Sequence, residues 1–77
     1  MAAFLARITV RDVLDDERPG MGDALGAREE PELADGSVTY VVLGEAPDLG
    51  AASAAANQHA AEVLDGYTYE VDVSDLP

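Results

Sequence analysis

The sequence predicts an α+β domain: a three-stranded sheet in the order β-loop-β-α-β, with one alanine-rich helix packed on one face. Three observations carry this. Two stretches near the ends alternate between side-chain classes, a β-branched run occupies residues 38–43, and a segment punctuated as a helix joins that run to the last alternating stretch. At 77 residues the chain suffices for one domain with one core, and a domain of this size buries only somewhat more than about 60% of its unfolded surface.

The first strand spans residues 3–13. Phe4, Ala6, Ile8 and Val10 fall on one side and Leu5, Arg7, Thr9 and Arg11 on the other, the period of two expected of a half-buried strand. From Asp12 to Gly36 this pattern gives way to Asp, Glu, Gly and Pro, as in Asp15-Asp16-Glu17, Pro19-Gly20-Met21-Gly22 and Glu29-Glu30-Pro31-Glu32. Residues 12–36 therefore read as a long acidic loop, of the length that is either functional or ordered only on binding. A short helix around Asp23 to Glu30 is weakened by Gly26 and the flanking glycines.

Asp35-Gly36 signals a turn into the second strand, Val38-Thr39-Tyr40-Val41-Val42-Leu43, which is apolar on both faces. A strand of that kind is covered on both sides or keeps one face for a partner. Pro47-Asp48 then opens a helix over Leu49 to Leu64, closed by Asp65-Gly66. Its inward stripe is Leu49, Ala52, Ala56, Ala60 and Val63, with Leu64 at the edge. The third strand, Tyr67 to Ser74, sets Tyr67, Tyr69, Val71 and Val73 against Thr68, Glu70, Asp72 and Ser74, and the tail Asp75-Leu76-Pro77 reads as frayed. Placing the first strand antiparallel between the other two gives half of a ferredoxin-like fold and sets Arg7 and Arg11 beside Glu70 and Asp72. The competing order is a long hairpin of the first two strands with the third at the far edge.

Charge restricts the partners. Sixteen acidic side chains face four arginines, there is no lysine, and the formal net charge is −12. Phosphate backbones and anionic lipid need a Lys or Arg surface, so direct nucleic-acid or membrane binding is disfavoured. Nine of the acids and two of the arginines lie in residues 12–36, a net of −7. Fourteen alanines with acidic dominance suit a salt-rich cytoplasm or a GC-rich genome. With no cysteine and one histidine, disulfides and thiolate metal sites are excluded. An oligomer or a larger partner is then the remaining means of stabilising so small a core. The N-terminal residues show no charged-then-apolar signal, and no segment approaches the roughly 18 apolar residues of a span, so a soluble intracellular or virion protein is expected.

Chemistry-bearing motifs are few. His59 is the only histidine, the residue type from which a general-base proposal would begin, but Ser37, Ser53 and Ser74 have no nucleophile context around them. It reads as a boundary histidine packed at the sheet edge. Asp12, Asp15, Asp16 and Glu17 do not match the ligand spacing of a calcium loop. Pro19-Gly20-Met21-Gly22 lacks the Lys-Ser/Thr of a phosphate loop. No catalytic residue, metal site or cofactor is expected. The candidate partner-binding residues are Leu5, Val41 and Leu43 on the outer sheet face, with Asp15, Asp16 and Glu17 in the loop. A one-residue shift of the second strand exchanges Val41 and Leu43 for Tyr40 and Val42.

The expectation is a non-enzymatic assembly or adaptor protein that docks on copies of itself or on another subunit, as small virion components and accessory subunits do. The alternative is an inhibitor that mimics nucleic acid, setting carboxylates where phosphates would lie. A small enzyme with a site shared between chains has less behind it.

Overall fold

Alternation in the first ten described residues produces β1 (Ala2–Arg11), whose even-numbered side chains from Phe4 onward are buried and whose odd-numbered ones are half-buried or exposed. In the computed structural model, which describes residues 2–27 and 31–75, β1 is followed by α1 (Arg18–Leu25), β2 (Glu32–Ala34), β3 (Ser37–Ala46), α2 (Leu49–Val63) and β4 (Tyr69–Asp75). The class is α+β, as the sequence implies. The described sheet nevertheless has four strands and two helices accompany it, not three strands and one helix.

The additional elements come from residues 12–36. Pro19 stands in the first turn of α1, where a missing N–H costs nothing. Met21 and Leu25, four residues apart, are both buried, and that burial outweighs the helix penalty of Gly20 and Gly22. Gly22 packs closely on Tyr40: a Cβ there would meet the ring at 3.3 Å, so the ring would have to give by a few tenths of an ångström. Gly26, at φ 80°, ends the helix by returning its N–H to Asp23. A helix therefore forms in the loop, but it starts and stops earlier than residues 23–30. Asp35-Gly36 closes a hairpin that pairs Glu32 with Thr39 and Ala34 with Ser37. Glu29, Glu30, Leu76 and Pro77 lie outside the described residues.

The sheet order is β2-β3-β1-β4. β1 pairs antiparallel with both β3 and β4, so the central placement expected of the first strand holds and the competing order does not. β3 runs longer than the apolar run, to Ala46.

Both helices lie on the even-numbered face. One core cluster joins Ile8, Val10, Val38 and Tyr40 to Met21 and Leu25 of α1 and to Ala60 and Leu64 near the end of α2. A second, smaller cluster contains Phe4, Ala46 and Ala52. Asp48 caps α2 by accepting from the Ala51 N–H at 2.8 Å. The inward stripe holds for Ala52, Ala60 and Leu64, whereas Leu49 is 47% exposed. Leu49 is the first residue of α2, and the stripe meets the sheet only from the second turn onward.

Candidate interaction surface

The odd-numbered face of the sheet carries no helix. Register brings the outward side chains into rows: Leu5 faces Leu43, Arg7 faces Val41, Thr9 faces Thr39 and Arg11 faces Ser37. On the other flank, Leu5 faces Ser74, Arg7 faces Asp72 and Thr9 faces Glu70. The sequence-derived residues Leu5, Val41 and Leu43 thus lie together, and the shifted register that would have exposed Tyr40 and Val42 does not occur. Tyr40 is 1% exposed, and its hydroxyl donates to the Arg18 carbonyl at 3.2 Å. Its burial pushes the phenol pKa up, against a smaller opposing pull from Arg18.

Along β1 this face changes character. Toward Arg11 it is polar and internally bonded, with the Thr9 and Thr39 hydroxyls 3.0 Å apart. Toward Ala2 it is apolar, with Leu43 42% exposed and Leu5 half-buried beside it. An antiparallel sheet facing water on one side should present polar residues there, and the Thr9 end does so. The Leu5-Val41-Leu43 end does not.

Arg7 borders that apolar end. Its guanidinium reaches across β3 to Glu32 at 3.5 Å. Asp72 stands opposite Arg7 in the register, but among the described residues Arg7 makes its ion pair with Glu32 only. Arg11 reaches neither acid: it lies one row past Thr9 and Glu70, and its N–H donates to the Thr68 carbonyl at 2.9 Å. The expected β1–β4 charge pairs are thereby corrected. A long arginine swings to either flank of a central strand at little cost, and exposed pairs of this kind contribute under about 1 kcal/mol.

The acidic trio lies elsewhere. Asp15, Asp16 and Glu17 follow the opposite end of β1, and Leu5 to Arg11 alone spans about 20 Å of strand, so the structure does not join the two groups. Asp15 pairs with Arg18. Glu17 has structural bonds: it accepts from the Leu14 N–H at 3.2 Å and from the Tyr67 hydroxyl. The Tyr67 bond, then that of Leu14, lowers the Glu17 pKa against a smaller desolvation effect. The same bond raises the Tyr67 pKa. This contact, fifty residues apart in sequence, has no signal in the chain.

His59 donates its Nε2–H to the Leu25 carbonyl at 3.0 Å, since a carbonyl accepts only. It satisfies one of the orphan acceptors at the end of α1 and ties the two helices together. The residue as a whole is exposed, its Nε2 bond is part-buried, and it borders a groove shared with Phe4, Val42 and Val73 of the sheet. An open concavity of about 590 Å³ lies beside α1, lined by Arg18, Asp23, Leu33 and Tyr40 among others. Among the described residues no three acidic, His or Cys side chains cluster as metal ligands, and no helix is long and apolar enough to cross a membrane. The chain matches no protein-family model, no curated protein and no solved structure.

Proposed function

We propose that this protein acts without catalysis, as a small assembly or adaptor component whose apolar sheet end makes protein–protein contacts. Accessory subunits and minor virion components are its functional class. The observation that carries the reading is the adjacency of Leu5, Val41 and Leu43 on a sheet face that neither helix covers. Exposed apolar groups bordered by charge are typical of contact surfaces, and Arg7 and Glu45 provide that border here. The nucleic-acid-mimic reading draws less support, because Asp15 is paired with Arg18 and Glu17 is bonded to Tyr67.

The test compares tagged wild type with Leu43→Asp and Leu5→Thr. Each is assayed for self-association by light scattering and for proteins retained from an extract of the source cells at about 0.1 M salt. Wild type should self-associate or retain a protein in fixed ratio, and both variants should lose that contact with their circular dichroism unchanged. A wild type that stays monomeric and retains nothing the variants lose would overturn the reading.

A further inference from the structure

The hydrogen-bonding side of each strand can be read from two loop bonds. Arg11 N–H donates to the Thr68 carbonyl and Asp12 N–H to the Gly36 carbonyl. Antiparallel ladders alternate, so odd-numbered residues of β1 bond to β4 and even-numbered ones to β3. In the β1–β3 register even residues face even residues, which leaves the odd residues of β3 pointing the other way. β2 uses that side only from Ser37 to Thr39. Among the described residues, nothing pairs with the N–H and C=O groups that Val41, Leu43 and Glu45 present along this edge.

Natural edges are usually blunted by charge, proline or bulges. The free edge of β4 follows that rule, with Glu70, Asp72 and Asp75 along it. The free edge of β3 reads Val41-Val42-Leu43-Gly44-Glu45, with one charge and no proline before Pro47. The two edges of one sheet are thus treated oppositely.

We propose that the β3 edge is completed by the β3 edge of a second copy of this chain, antiparallel about a two-fold axis at Leu43. The two four-stranded sheets then continue as one. This inference rests on the protein-contact reading above and names the partner. Three features of the edge agree on this register.

Leu43 meets its own symmetry mate, so Leu5, Leu43 and their copies form an apolar stripe across the seam. Val41 stands opposite the copy's Glu45, in the same row as Arg7. Arg7 already bridges across β3 to Glu32, so its reach suffices for that carboxylate, and Glu45 makes no ion pair among the described residues. On the helix side, the copy's Val42 falls beside Gly44. A Cβ built on Gly44 meets nothing within 4 Å, and a groove of about 170 Å³ opens there, lined by Phe4, Val42, Ala52, Ala55, Ala56 and His59 among others. The small side chains of α2 leave room for a valine from the copy.

Self-repulsion between chains of net charge −12 opposes pairing at low salt and is screened at high salt, so the dimer tightens as KCl rises. The experiment is absolute molar mass by light scattering at about 0.1 M and 2 M KCl, for wild type, Gly44→Val and Leu43→Pro. Gly44→Val adds bulk beside the groove at a position where an added Cβ meets nothing within 4 Å. Leu43→Pro removes an N–H that no described strand uses. Wild type should reach twice the 8.0 kDa of one chain, and each variant should weaken association at least about 100-fold with its circular dichroism retained.

If Leu43→Pro does not fold, Gly44→Val decides alone. A wild type that is monomeric at both salts, a mass other than the dimer, or a dimer that survives Gly44→Val overturns the proposal. The protein-contact reading would then depend on the retained-protein experiment, which these masses do not prejudge.

Discussion

The two ends of the sheet are built differently. At the end that holds Ile8, Val10, Val38 and Tyr40, both helices close the inner face and the outer face is polar, with Thr9 and Thr39 bonded to each other. At the end that holds Phe4, Ala46 and Ala52, a single alanine-faced helix covers the inner side, and the outer side offers Leu5, Val41 and Leu43. The first end completes its burial within one chain. The second has a thin core, an open groove, an apolar face and a free strand edge in one place. That combination, rather than any one exposed leucine, is what suggests a contact, because single exposed apolar residues are ordinary.

Substitutions at the two ends should therefore behave in opposite ways. The largest effect is expected at the closed end. Leu25, 1% exposed between α1 and the sheet, should cost about 2–5 kcal/mol on replacement by alanine, enough to unfold much of so small a domain. Urea denaturation of Leu25→Ala checks this, and a loss below about 1 kcal/mol would mean that α1 is not part of the core.

The Glu17–Tyr67 bond anchors the start of α1 to the segment before β4, and its signature is pH dependence. The folded pKa of Glu17 lies below its ordinary value. Its contribution is thus fully present above the unfolded pKa of about 4.3 and is lost as pH falls through the folded value. Tyr67→Phe should reduce stability at pH 6 and flatten the decline between about pH 5 and 3, as melting curves across that range would show. Equal acid slopes for the two proteins would remove the bond from the account.

A smaller change is expected at the helix–helix tie. His59→Ala forfeits the bond to the Leu25 carbonyl, a loss of about 0.5–1.5 kcal/mol. It should also speed amide exchange near the end of α1, and unaltered exchange there would count against the tie. The smallest effect is reserved for the open end. Leu43→Ala, measured on dilute monomer by the same urea titration, should change stability by no more than about 0.5 kcal/mol. A large loss would show that Leu43 serves the monomer's own core.

Much of this was legible in the sequence. The alternation of Phe4 to Arg11 fixes which face of β1 is buried, and the Asp48 cap and the alanine run fix α2, because both signals are local and periodic. The adjacency of Leu5, Val41 and Leu43 follows from the same periodicity up to a one-residue shift of the second strand, whereas the central position of β1 is one of two strand orders that periodicity leaves open. Residues 12–36 carry no comparable local signal, because the two features that form there depend on partners distant in sequence. α1 survives its glycines only because Met21 and Leu25 reach the core and Gly22 admits the Tyr40 ring. β2 is three residues long and exists only as the hairpin mate of β3.

Glu17 and Tyr67 could not have been paired from the chain, since neither residue belongs to a motif. The free edge of β3 did leave a trace: the apolar run continues well past the point where a three-residue mate can follow it.

The most direct test of the account is the molar mass of wild type beside Leu43→Asp, by light scattering at about 0.1 M and 2 M KCl. The account predicts association of wild type beyond the 8.0 kDa of one chain, stronger at the higher salt, with Leu43→Asp remaining a folded monomer at both. Identical masses for the two proteins at both salts would contradict it.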